Sequence, residues 1–136
     1  MILLDANIVM YAAGAAHAHK ASSVALLERI ARGEVDAAVD AEVLQEILHR
    51  YSALKLWKAG RRLYDHTRVV LPRVVPITGD VTDLARALMD DVAHLMARDA
   101  LHAAVVITTG ATAFCSYDRD FDRIPGLRRL EPPDVR

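Results

Sequence analysis

The chain has 136 residues, 53% hydrophobic and 26% charged, with 17 basic against 18 acidic side chains and a net charge of −1. That length suits one domain over residues 1–136, and so apolar a chain with so little net charge is not a disordered one. One cysteine, Cys115, excludes an internal disulfide; with no basic leader and no apolar run of roughly 18 residues, the expectation is a cytoplasmic protein without membrane contact.

Ile2-Leu3-Leu4 is a short apolar run ending at Asp5 and predicts a buried strand. A short helix follows from Ala6 to Ala13, ended by Gly14. From His19 to Arg32 the apolar positions Val24, Leu27, Ile30 and Ala31 recur at helical spacing until Gly33. Val35 to Val39 predicts a second strand. Asp40 stands where an N-cap belongs, before a stripe of Val43, Leu44, Ile47, Leu48 and Tyr51. A basic helix from Leu54 to Leu71 closes at Pro72, and Val74 to Ile77 predicts an edge strand, since Pro76 cannot donate to a ladder. Asp80 is the expected cap of a helix with the stripe Leu84, Leu88 and Val92. Asp99 to Thr108 is apolar nearly all round, as a buried helix is, and Gly110 ends it. Ala113 to Ser116 predicts a strand followed directly by Asp118, and Leu130 a last short strand before Glu131-Pro132-Pro133.

Strands alternating with helices imply parallel pairing through right-handed crossovers, so the expected class is α/β. Ligands of such sheets sit outside the carboxyl ends of the strands. Asp5 and Asp118 lie just past predicted strands and Asp99 opens a predicted helix, so acids from opposite ends of the chain converge on one sheet edge. Taken singly, Asp80 and Asp99 read equally as helix caps and Asp118 as a turn former. Asp5 does not, because a carboxylate behind a buried strand is desolvated unless a cation meets it. Of Glu42 and Glu46, four apart on one helix, Glu46 flanks the apolar stripe and Glu42 lies nearly opposite it, in the first turn, where the macrodipole alone favours an acid.

Clustered carboxylates repel one another unless a cation enters or some take up protons. Oxygen ligands of this kind suit Mg²⁺ or Mn²⁺, whereas one cysteine and six scattered histidines offer no zinc spacing. His17 and His19 read as surface residues, Cys115 as core, and His102 equally as a satisfied helix histidine or a support behind the acids. Net charge conceals a segregation. Arg50, Lys55, Lys58, Arg61, Arg62, Arg68 and Arg73 face one acid, Asp65, within their segment, while Asp80, Asp83, Asp90, Asp91 and Asp99 gather later.

Four stretches carry a resemblance: Ile2-Leu3-Leu4-Asp5-Ala6-Asn7, Val43-Leu44-Gln45-Glu46-Ile47-Leu48, Asp99-Ala100-Leu101-His102-Ala103-Ala104, and Ser116-Tyr117-Asp118-Arg119-Asp120-Phe121-Asp122. In order and spacing they resemble the PIN-domain family, most closely its VapC-type toxin ribonucleases, over essentially the whole chain. The resemblance implies an α/β/α sandwich with a central parallel sheet of four to five strands and a Mg²⁺-dependent endoribonuclease site. By motif, its acidic quartet is Asp5, Glu46, Asp99 and Asp118, with Asp5, Asp99 and Asp118 holding Mg²⁺ (or Mn²⁺) and Glu46 positioning a water or a second ion. Asp120 is a possible fifth member, and Asn7 and Ser116 are supporting polar groups. Ala6 departs from the family, whose members often carry a small hydroxyl residue there.

The expected reaction is hydrolysis of an RNA phosphodiester by metal-activated water, leaving 5′-phosphate and 3′-hydroxyl ends. The basic segment from Arg50 to Arg73, with Arg123, Arg128 and Arg129 as an extension, is a candidate phosphate-binding surface. The resemblance also implies a homodimer and a cognate antitoxin that lies along the groove and offers a basic side chain to the acids. Haloacid-dehalogenase-like phosphatases need a second aspartate where Asn7 stands. They and receiver domains also use a late lysine, and the lysines end at Lys58. The remaining rival is a non-catalytic interaction module on the same fold.

Overall fold

A computed structural model describes residues 1–136. In chain order the elements are β1 (Ile2–Leu4), α1 (Ala6–Ala13), α2 (Lys20–Ala31), β2 (Ala37–Asp40), α3 (Ala41–Ala53), α4 (Trp57–Val70) and β3 (Val74–Val75), followed by α5 (Gly79–Asp91), α6 (Ala97–Thr109), β4 (Phe114–Cys115) and β5 (Arg129–Leu130). Short 3-10 turns cover Arg119–Arg123 and Pro132–Asp134. All four strand pairings are parallel, in the order β3-β2-β1-β4-β5. The chain therefore builds outward from β1 to β3, then crosses to the other side of β1 for β4 and β5. That reversal opens a crevice outside the carboxyl ends of β1 and β4.

Alternation along the strands divides the core between the two faces. Leu4, Val39 and Cys115 face one way, onto Ile8, Leu26, Ile47 and Leu63 of α1 to α4. Leu3, Ala38 and Phe114 face the other way, onto α5 and α6, where Ala85, Leu88, Ala103 and Val106 are buried. The expected α/β/α sandwich with a parallel sheet is what forms. No helix is long and apolar enough to cross a membrane.

Caps and turns explain most boundaries. Asp40 caps α3 as expected, its Oδ1 accepting from Val43 N–H at 3.0 Å. Gly110 ends α6 at φ 66°, a left-handed conformation that glycine adopts without strain. Other expectations need correcting. Thr78, not Asp80, caps α5, its Oγ1 accepting from Val81 N–H at 3.3 Å; Asp80 sits in the first turn, where the dipole favours it without a capping bond. Of the expected stripe Val24, Leu27, Ile30 and Ala31, Ile30 is buried as expected, but the buried face of α2 is Ser23, Leu26 and Ile30, one position away from Val24, Leu27 and Ala31. Ser23 disguised that face: it is fully buried because its hydroxyl meets the Tyr117 hydroxyl at 3.3 Å. Val24, Leu27 and Ala31 instead line a shallow apolar groove with Val9, Leu63 and Leu71. Strands β3 and β4 are also shorter than the apolar runs around them.

Candidate functional site

Asp5 follows β1 with extended backbone (φ −75°, ψ 153°) in the N-cap position of α1, yet its side chain caps nothing. Its Oδ2 instead accepts from Ser116 Oγ at 2.6 Å and from Asn7 Nδ2 at 2.8 Å. Ser116 stands just past β4, so these bonds stitch together the two strand ends that flank the crevice. Its Oγ also accepts from Asn7 Nδ2 at 3.0 Å and from the backbone N–H of Asp118 at 3.0 Å, which fixes where Asp118 starts.

Asp99 enters from the first turn of α6 and Glu46 from the middle of α3. Asp5, Glu46, Asp99 and Asp118 then line a single cleft of about 450 Å³ together with Asn7, His49, Arg50 and Arg98. All four acids of the expected quartet are thus brought together, and Asn7 and Ser116, expected as supporting groups, both donate to Asp5. Asp120 is not brought in: it is exposed on the 3-10 turn, and its backbone N–H donates to Asp118 Oδ1 at 2.9 Å. Asp118 both caps that turn and lines the cleft, so its two readings coexist.

The crowding is visible in proton affinities. Burial pushes the Asp5 carboxyl up to about 6, against the opposing pull of His102 and the Ser116 hydrogen bond. Asp99 is raised too, by burial and then by Asp118. Asn7 Oδ1 is buried without a hydrogen-bond partner, since its amide nitrogen is committed to Asp5 and Ser116. An orphaned acceptor beside carboxylates with raised pKa is a donor set short of a cation. All of these donors are oxygens, which fits a hard divalent ion.

Two residues outside the expected quartet, Asp40, read only as a cap, and His102, left open between core and support, connect to Glu46. Asp40, besides its cap, turns Oδ2 to His102 Nδ1 at 2.7 Å. His102 Nε2 meets Glu46 Oε1 at 3.0 Å, and Arg98 Nε meets the same oxygen at 2.9 Å. Burial pushes the His102 pKa down, but the hydrogen bonds to Asp40 and Glu46 outweigh it and leave it at about 10. His102 one turn after Asp99 was a visible signal for a support role; Asp40 could not be read beyond its cap, because its partner is 62 residues away.

The basic segment divides. Arg50 lines the cleft, and Arg62 and His66 line an adjoining groove of about 740 Å³ with Met10, Tyr51, Leu54 and Leu56. Arg73 pairs with Asp36, and Arg68 donates to the Pro72 carbonyl at 3.2 Å. Arg129 is not a free cation: it is mostly buried and pairs with Asp122 at 2.8 Å and Glu131 at 3.0 Å.

A parallel α/β sandwich with four acids at its topological switch defines the class, and the PIN domain family model matches residues 2–127. The chain belongs to the PIN-domain family. Over 130 residues it is 44% identical to ribonuclease VapC13 of Mycobacterium tuberculosis, covering 96% of this chain and 99% of that relative. Among solved structures it resembles VapBC2 of Rickettsia felis, bound to a promoter DNA fragment, with a TM-score of 0.78 and 24% identity over 96% of this chain and 98% of that one. It also resembles the sarcin-ricin loop cleaving toxin VapC20 of M. tuberculosis, with a TM-score of 0.77 and 19% identity over 97% of this chain and all of that one.

Proposed function

We propose that this chain is a metal-dependent endoribonuclease and the toxin half of a toxin-antitoxin pair. The observation that carries the reading is the meeting of Asp5, Glu46, Asp99 and Asp118 in one cleft, in a chain 44% identical to a VapC ribonuclease over nearly its full length. Asp5, Asp99 and Asp118 are the residues to hold Mg²⁺, or Mn²⁺ in its place. When bound, the ion supplies Lewis acidity, making an attacking water more acidic and offsetting charge on the phosphate oxygens.

The chain's own residues supply placement. Ser116 and Asn7 lock one oxygen of Asp5 and leave the other available. Glu46, anchored through Oε1, presents its second oxygen as an acceptor that orients water. Arg50 supplies a cation for a phosphate flanking the one attacked. A cognate antitoxin fits the groove of Met10, Tyr51, Leu54 and Leu56, which shares Asn7, Met10, Arg50 and Leu54 with the cleft. From there an arginine of the partner reaches the acids and competes with the ion. We also expect a homodimer, which sedimentation of the free chain measures.

Purified protein should cleave RNA with Mg²⁺ or Mn²⁺ and not with EDTA, leaving 5′-phosphates. Asp99→Asn and Asp5→Ala should each abolish this in preparations of equal purity. Cleavage that persists undiminished in Asp99→Asn would overturn the assignment.

A further inference from the structure

His102 and its partner Asp40 are each 1% exposed, and the His102 ring packs against Phe114 with ring centroids 5.3 Å apart. Asp5, Glu46 and His102 offer ligand atoms within 4.8 Å of one another, which invites a reading of the three as a metal site. The hydrogen bonds exclude that for His102. Nδ1 meets a carboxylate oxygen of Asp40 and Nε2 one of Glu46, so both nitrogens are N–H donors and neither has a lone pair for an ion.

Asp40 is equally saturated. One oxygen holds the first turn of α3 through Val43 N–H and the other holds His102. The chain Asp40–His102–Glu46 therefore starts at the cap of the helix that carries Glu46, passes through α6, which carries Asp99, and returns to Glu46. Glutamate has three rotatable side-chain bonds, and Arg98, more than half exposed, is a loose anchor alone. His102 is the rigid one. Two anchors on Oε1 leave Oε2 as the glutamate oxygen without a protein donor.

We propose that His102, oriented by Asp40, is a positioning residue for the cleavage reaction: it fixes Glu46 so that Oε2 faces water and substrate in one orientation. The inference rests on the nuclease reading above. It gives Asp40 a second task beyond capping and sets the spacing between α3 and α6 across the cleft.

Removing His102 alone would strand the buried Asp40 carboxylate and risks unfolding. The test is therefore the paired exchange Asp40→Ser with His102→Phe, where serine still caps α3 and leaves room for the larger phenylalanine ring, which keeps an aromatic contact with Phe114. Single-turnover cleavage of RNA at saturating protein and Mn²⁺ should slow by about 10- to 100-fold, the usual cost of losing a group that orients an active-site ligand. Calorimetric Mn²⁺ titration counts the folded sites, so that a misfolded fraction is not read as slow chemistry. Asp40→Asn is the milder arm, since it keeps the cap and the ring and should slow the reaction less. The deciding measurement repeats the paired exchange in a Glu46→Ala background. If His102 acts through Glu46, the exchange costs nothing further there; a packing role alone would cost the same in both backgrounds. Equal cost in both backgrounds, or a wild-type rate in the paired exchange, overturns the inference while wild-type cleavage keeps the nuclease reading standing. A wild-type chain that cleaves no RNA overturns both.

Discussion

Asp5 shows at the scale of one residue how function works against stability. Its carboxyl is raised from 3.8 to about 6 by burial, so the folded protein holds that proton more tightly than the unfolded chain does. An acid shifted this way loses native stability as pH rises from its unfolded to its folded pKa, by up to about 3 kcal/mol over the window here. Metal-free protein should therefore melt at a falling temperature between about pH 4 and pH 6, as followed by circular dichroism with EDTA present. Mn²⁺ should restore stability at pH 7.5 by binding only the folded, ionised site. Asp5→Asn should raise the metal-free melting temperature at pH 7.5 by about 3 °C or more. An asparagine oxygen still accepts from Ser116 and Asn7, as Oδ2 does now. No rise in Asp5→Asn would show that the neighbours already compensate the ionised carboxylate. The sequence disclosed Asp5 because its desolvation follows from one buried strand. It left His102 undecided between core and support, since the choice depends on Asp40 and Glu46, residues on other elements.

At the scale of elements, the seam between α3 and α4 positions Glu46 on one side and the basic groove on the other. Gly60 lies inside α4, where glycine ordinarily costs helix stability, and a Cβ there would stand 2.4 Å from Tyr51 Cβ on α3. The close approach demands the missing side chain. Gly60→Ala should lower the melting temperature, with about 1–3 kcal/mol lost, because backbone and side-chain shifts must relieve the overlap. An unchanged melting temperature would mean that α4 slides freely on α3. Helix existence and order were legible from periodicity, and so were Asp40 and Gly110 as boundary residues. Less legible was which face of α2 is inside, because a serine at its centre is buried by a hydroxyl partner 94 residues away. The α5 boundary misled for a local reason: Thr78 and Asp80 both suit a helix start, and only backbone geometry separates a cap from a first-turn acid.

For the whole molecule, a net charge of −1 says little about its affinity for a polyanion, because the charge is sorted in space. Acids occupy the cleft floor, whereas Arg50 and Arg62 stand along the cleft and its adjoining groove. The sequence showed the segregation but not its outcome, since several basic side chains are diverted. Arg73 is taken by Asp36, Arg68 by a backbone carbonyl and Arg129 by two acids. Fewer phosphates are therefore contacted than a count of basic residues suggests. Each single-strand phosphate neutralised contributes about 0.7 to the slope of log affinity against log salt. In an Asp99→Asn background, which leaves bound RNA intact, replacing both Arg50 and Arg62 by glutamine should lower that slope by about 1.4. Lys58→Gln, exposed on the first turn of α4 and lining neither cavity, should lower it by less. Binding isotherms of a single-stranded RNA at several salt concentrations measure both. If the two exchanges shift the slope equally, a diffuse field rather than a defined track along the groove guides the RNA.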